Sequence, residues 1–257
     1  MLAGICCYCG KYYSYSGNVD LKRVQLVFYV GWFISKKGKN MSIIRPKVSA
    51  QLNPVDTFSF YVQEFMAEEL PIEEIEIREE CLEDEAFLKI EIRKSTFEKC
   101  TFHNCNFEKA TFIDVVFQSC DLSNSKFEGA YFERCRFISC KCIGIDMSDV
   151  VIKHTTFEES NLQYAYFIKT KITDVSFDRI DFTEASIIES ELKRFAVMHS
   201  TFVKTNFFKT MLTNIDFSNS ELLAPLVSIP PTELKGCIIN TFQAANLISL
   251  WGIQVKQ

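Results

Sequence analysis

From Phe97 to Leu222 an apolar residue falls at every fifth position without a break. The run opens Phe97, Phe102, Phe107, Phe112, Phe117, Leu122, Phe127 and closes Phe202, Phe207, Leu212, Phe217, Leu222. Between these stretches Phe, Leu, Ile, Val and Met fill the slot, and Cys142 once. At 47% apolar residues overall, chance would give this run on the order of one time in 10⁸. Two places before nearly all of these residues stands a small or β-branched one, such as Cys100, Ala110, Val115, Ser125 or Thr155. The other three positions of each five are mostly polar or charged.

Two inward residues spaced by two share one face of an extended segment. A period of five then demands a turn in every repeat, and a helix of period 3.6 cannot hold such a stripe on one face. Four five-residue sides close one coil, and coils stack about 4.8 Å apart by strand-like hydrogen bonding. The expected fold is all-β, a four-sided parallel β-helix over residues 96–224 in which every fourth repeat shares a column. Phe97, Phe117, Phe137, Phe157 and Phe177 make one core column, continued by Val197 and Phe217. Phe195 stands where a small residue belongs. Overfilling there predicts a bulge near Lys193–Ala196 or an outward turn of the ring.

Cys100, Cys120 and Cys140 form a second column. Neither a metal nor another cofactor is expected there, because Cys packs as a small buried hydrophobe and no His completes a ligand set. Nothing indicates export, so the 11 Cys are read as reduced and the chain as cytoplasmic. No apolar stretch reaches membrane-spanning length.

Upstream, Ile72, Ile77, Leu82, Phe87 and Ile92 keep the register, but Glu80 and Glu85 occupy small-residue slots. Residues 41–95 are therefore expected to hold a helix and an irregular acidic cap. Asn53 as N-cap and Pro54 as first residue predict a helix over Val55–Glu69, with Phe58, Val62, Phe65 and Met66 buried over the open coil end. Residues 1–40 match nothing downstream. They carry +5 of charge and stop at Met41, which we read as the true start behind a translated leader. Downstream, Pro225, Pro230 and Pro231 interrupt the pattern. Asn240 or Thr241 then caps a short helix over Phe242–Trp251, stopped by Gly252, and Ile253 with Val255 suggests a last strand. Residues 225–257 make up this C-terminal segment.

Residues 41–257 carry −10 of formal charge, which disfavours nucleic-acid binding and suits a basic protein partner. Candidate contacts are Glu128, Asp146, Asp149, Glu158, Glu159 and Asp178. Catalysis would need long loops and converging groups in a cleft. The uninterrupted register offers no insertion, and His103, His154 and His199 fall at outward or turn positions. Neither an enzyme nor a small-molecule substrate is expected.

The repeat resembles the pentapeptide-repeat family, with Asp or Asn before the central residue at Asn106, Asp121, Asn161, Asp181, Asn206 and Asp216. That resemblance implies a right-handed coil. The tail from Leu234-Lys235-Gly236-Cys237-Ile238-Ile239 to Gln243, then Leu250-Trp251-Gly252-Ile253, is similar to the ending of quinolone-resistance (Qnr-type) members. The resemblance implies a homodimer through that helix, with Phe242, Ala245, Leu247, Leu250 and Trp251 as contacts. It also implies an acidic rod that mimics duplex DNA and binds gyrase or topoisomerase IV. The uninterrupted coil is closer to the loop-free members. A generic interaction scaffold, or a monomeric end cap, stands as the alternative.

Overall fold

The computed structural model describes residues 41–68 and 70–254. The leader proposed for residues 1–40 and the strand residue Val255 lie outside them. The described chain winds into a right-handed, four-sided parallel β-helix of about eight turns. Side one is centred on Phe97, side two on Phe102, side three on Phe107 and side four on Phe112. Short parallel strands stack residue for residue, Thr96–Glu98 on Val116–Gln118 and Arg136–Ile138 on Thr156–Glu158 among them. Sides one and four form one thirteen-stranded sheet, joined through the eight-residue strand Lys171–Asp178, which crosses their corner.

The interior is the column structure that the spacing requires. Rings of Phe97 and Phe117 stack at 5.1 Å, Phe137 and Phe157 at 4.4 Å, and Phe157 and Phe177 at 4.7 Å, with interplanar angles of 10°, 2° and 13°. Neighbouring columns meet edge to face, as Phe97 does Phe102. All six core residues, Phe97, Phe117, Phe137, Phe157, Phe177 and Phe217, are buried.

The small-residue slots explain their tolerance for Cys, Ser and Thr. Many of these side chains reach a backbone carbonyl of the coil before it, and others, such as Thr155 and Ser160, the carbonyl two residues earlier in their own coil. Cys120 Sγ donates to Phe97 O (3.4 Å), and Thr170 Oγ1 to Met147 O and Thr205 Oγ1 to Phe182 O (2.8 Å each). Hydroxyls also accept from the preceding coil, as Ser160 Oγ does from Cys140 N (2.9 Å). The buried thiols are chemically quiet, and burial pushes the Cys135 thiol up to about 12. Asp or Asn before a central residue folds back on the corner. Asn106 Oδ1 accepts from Glu108 N and Asp121 Oδ1 from Ser123 N, both at 3.0 Å, and this local bond supports a turn whose next residue, Lys109 or Asn124, sits at φ +58.

The coil starts earlier than its expected boundary at 96. Ile72, Ile75, Ile77, Leu82, Phe87, Ile90 and Ile92 are all buried in register, with Ile72 opposite Ile92 and Ile77 opposite Phe97. The first coil is thus regular despite its charge, because Glu80 is only half-buried and Glu85 turns out to solvent.

Helix α1 spans Phe58–Glu68 rather than starting at Pro54. Asn53 and Pro54 are extended and pair with Ile75 and Glu76. The bonds run from Asn53 N to Glu74 O (2.8 Å) and from Val55 N to Glu76 O (3.0 Å). Pro54 occupies the alternate position, where its missing N–H costs nothing. Phe58 and Val62 are buried, Phe65 is half-buried and Met66 is exposed. The Phe58 ring lies 5.3–5.8 Å from those of Phe87, Phe97 and Phe102 and plugs the coil end.

The C-terminal prolines do not end the coil. They insert two residues, after which it resumes. Asn206 bridges Leu226 at the normal spacing, but Asp216 bridges Ile238, and Leu212 N donates to Glu233 O at 2.9 Å. Leu234 is therefore buried as a further central residue although Thr232 before it is exposed, and Cys237 with Ile239 forms one more small–large pair, half-buried.

Phe195 corrects its expectation as well. Val175 still pairs with Phe195 and Phe177 with Val197, so no bulge forms. The ring is half-buried against the core rather than turned away.

Candidate interaction surface

Three outward positions per repeat give each side its own columns of surface groups. The six acidic candidates divide between opposite sides. Glu158, Glu159 and Asp178 stand on side one, and Glu128, Asp146 and Asp149 on side three. Those on side one are largely neutralised by their own chain. Arg136 bonds Glu158 at 3.0 Å, and Arg179 bonds Glu159 at 2.9 Å and Asp178 at 2.7 Å. Those on side three make no ion pair among the described residues, but lysines such as Lys109, Lys126 and Lys169 share that side.

Sorting by side shows where the negative surplus is. Side two presents Glu83, Asp84, Asp121, Asp181, Glu184 and Glu221 against Lys141 and Lys204. It adjoins side one, where Glu76, Glu79, Glu98 and Asp216 outnumber Arg78 and Lys99, which pair with the three glutamates. Sides three and four are close to neutral. The acidic surface is thus the pair of sides one and two, and reading in columns twenty apart would have found it.

The corner between sides four and one is a charge ladder. Asp114 is buried and takes both guanidinium arms of Arg134, at 2.7 and 2.8 Å, plus the backbone N–H of Lys47 at 2.9 Å. Burial pushes its carboxyl up, but these donors outweigh that and hold it below the usual range. Three coils on, Arg194 bonds Asp174 at 2.6 Å and lowers its carboxyl likewise. The Lys47 contact also ties the segment before α1 to the coil.

At the C-terminal end α2 spans Thr241–Leu247, capped by Asn240, whose side chain accepts from Gln243 N while Gln243 Oε1 accepts from Asn240 N. The Gln243 amide also donates to Phe217 O and Ser220 O, at 3.0 and 2.8 Å. Glu233 is buried and accepts from Lys209 N at 2.9 Å, in the place a next-coil carbonyl fills elsewhere. Side chains thus terminate the backbone ladder. Leu247 is buried against the coil and Leu250 half-buried, so of the five residues read as dimer contacts only Phe242, Ala245 and Trp251 face outward. An open depression beside Trp251 is lined by Pro230, Pro231 and Leu234.

Residues 90–167 match the pentapeptide repeat region family. The matched stretch is a pentapeptide-repeat region. No curated protein matches the chain. Among solved structures it is similar to full-length QnrB1, a plasmid-mediated fluoroquinolone resistance protein, at 19% identity over 78% of this chain and 95% of that one, with a TM-score of 0.53. A trypsin-treated QnrB1 variant matches at 22% identity over 70% and 90%, with a TM-score of 0.48. HetL, involved in heterocyst differentiation regulation in the cyanobacterium Nostoc sp. strain PCC 7120, matches at 13% identity over 72% and 98%, with a TM-score of 0.30. At these identities the likeness is one of fold.

Proposed function

We propose that this chain is a non-enzymatic acidic binding protein that presents sides one and two to a basic groove made for duplex DNA, that of gyrase or topoisomerase IV. The observation that supports it most is the carboxylate surplus along those two adjacent sides of a rod of about eight turns, roughly 38 Å long at 4.8 Å per coil. A rigid rod keeps such charges at fixed spacing, which electrostatic docking onto a basic surface rewards with rate and specificity. The outward Phe242, Ala245 and Trp251 support a dimer through α2, which would double the rod. Exposed aromatics of this size at one end exceed what a cap needs once Leu247 and Gln243 have closed it.

The test is gyrase supercoiling with purified protein added, with and without a fluoroquinolone. Inhibition that weakens in Asp121→Lys/Asp181→Lys/Glu184→Lys, and persists in a side-three control such as Glu128→Lys, is expected. Unchanged supercoiling at all concentrations would overturn the reading. In sedimentation, Phe242→Glu/Trp251→Glu should lose the association made through α2 and run at a lower mass than the full chain.

A second reading, an interaction scaffold for another partner, is favoured by the intramolecular arginine pairing of Glu158, Glu159 and Asp178. Paired carboxylates are poor stand-ins for phosphates.

A further inference from the structure

The outward column that follows the central residue on side three changes character part-way along the rod. After Leu88 in the first coil it reads Glu108, Glu128 and Ser148, then Ile168, Ile188 and Phe208. The column before the central residue likewise opens with Asn106, Lys126 and Asp146 and then presents Tyr166 and Leu226 at its ends. The registers put these residues on one surface, Tyr166 opposite Ser186, Ile168 opposite Ile188, and Asn206 opposite both Ser186 and Leu226. Tyr166, Phe208 and Leu226 are 45%, 41% and 53% exposed, and Ile168 and Ile188 are half-buried. Strand propensity does not account for Phe208, which lies in a turn. A contiguous apolar strip of this kind on a soluble rod marks a contact surface.

The flanks of the strip suggest what covers it. On one flank Glu184 pairs with Lys204 at 3.3 Å, and on the other Glu189 pairs with Lys209 at 2.7 Å. Both flanks therefore show an acid in one coil and a lysine in the next. Both also share one level, between the coils of Ile188 and Phe208. A twofold axis at that level, across the rod, sets each Glu of one copy against a Lys of the other on both flanks. It sets Ile188 against Phe208 and Tyr166 against Leu226. An axis half a coil earlier would oppose Lys209 to Lys169 and Glu189 to itself, a like-charge arrangement that costs binding, and one a whole coil earlier would leave Glu184 facing Tyr164 rather than a lysine.

We propose that side three is an isologous docking surface for a second copy of this chain, packed antiparallel across the strip Tyr166, Ile168, Ile188, Phe208, Leu226. This surface is separate from α2 and, apart from the shared edge at Glu184 and Lys204, leaves sides one and two open to a partner.

Two measurements on the full chain test it. Ile188→Cys protein is mixed with Phe208→Cys protein under mild oxidation, with the unsubstituted chain as background. A disulfide joining 188 of one copy to 208 of the other is expected. A yield no higher than that of a side-four mixture, Lys153→Cys with Lys171→Cys, overturns the proposal. In the second, Glu184→Lys/Glu189→Lys and Lys204→Glu/Lys209→Glu are each expected to lose this cross-link when built into both partners of the Cys mixture. Mixing the acid-reversed chain with the lysine-reversed one should restore it. Retention in the separate variants, or no recovery on mixing, overturns it. Far-UV circular dichroism confirms that each variant keeps its coil.

Discussion

The ring of Phe195 packs on the ring of Phe177, centroids 5.2 Å apart and planes tilted by 45°. Phe177 would otherwise be stacked by the next ring of its own column, but that position holds Val197, directly opposite Phe177 in the register. Large and small residues are exchanged within one repeat, and the interior volume is nearly conserved. Restoring the usual arrangement is therefore a compensated change. Val197→Phe alone should overpack and cost about 1–3 kcal/mol. Phe195→Val alone should leave a cavity and cost about 2–4 kcal/mol. The double variant should recover a coupling of about 1–3 kcal/mol. Denaturant melts of the four proteins decide this, and simple additivity would refute the exchange.

Mid-stack rings carry more than surface charges do. Phe157 is buried between Phe137 and Phe177, with near-parallel rings on both sides. Phe157→Ala should cost about 3–5 kcal/mol, since neighbouring coils are held in register and cannot collapse into the gap. Glu128 is exposed and without an ion pair, and Glu128→Ala should change stability by less than about 0.5 kcal/mol. Equal shifts in the unfolding midpoint would contradict the inward column.

How much of this was legible depends on whether a feature keeps the five-residue period. The core from Phe97 to Leu222 keeps it, and the rings of the structure are those of the sequence. Leu234 and the pair Cys237–Ile239 follow the same rule but sit two residues out of phase behind Pro230 and Pro231, so a strict frame passes over them. Glu80 and Glu85 were misleading, because a corner at the end of the stack can turn its side chain to water where a mid-stack corner cannot. Asn53-Pro54 has the composition of a helix start, but the open edge of the first coil offered a strand partner and won. The acidic surface was present in the charge count but not its side, since neighbours in space are twenty apart in sequence. The roles of Leu247 and Trp251 differ only in which way α2 and the helical turn Ile248–Trp251 after it face, which their sequence leaves open.

The Asp114–Arg134 pair should shape the acid limb of stability. The folded carboxyl lies below its unfolded value, so its contribution is complete above about pH 4 and is lost as pH falls through the lower folded value. At pH 7, Asp114→Asn should cost about 1.5–3 kcal/mol, typical of a hydrogen bond to a charged group. Near pH 2 the variant and the parent should be equally stable. A difference that stays constant from pH 7 to pH 2 would show that the charge is immaterial. Asp174→Asn, which breaks the bond to Arg194, should behave in the same direction.

The C-terminal closure rests on side chains that imitate a missing coil. Gln243 donates to the carbonyls of Phe217 and Ser220 and accepts from Asn240 N, so one amide satisfies three backbone groups at the end of the ladder. Gln243→Leu keeps the volume but leaves the two carbonyls and the Asn240 N–H without that partner, and unsatisfied groups of this kind cost about 1–3 kcal/mol each when buried. Because each coil contacts mainly its neighbours, the loss should stay local. Hydrogen exchange is expected to speed up across Thr241–Leu247 and the last coil at Phe217, while amides around Phe137 keep their protection. Uniform acceleration along the whole rod would mean that the cap holds the stack together as one cooperative unit. Unchanged protection in α2 would mean that Leu247 packing alone suffices to hold it.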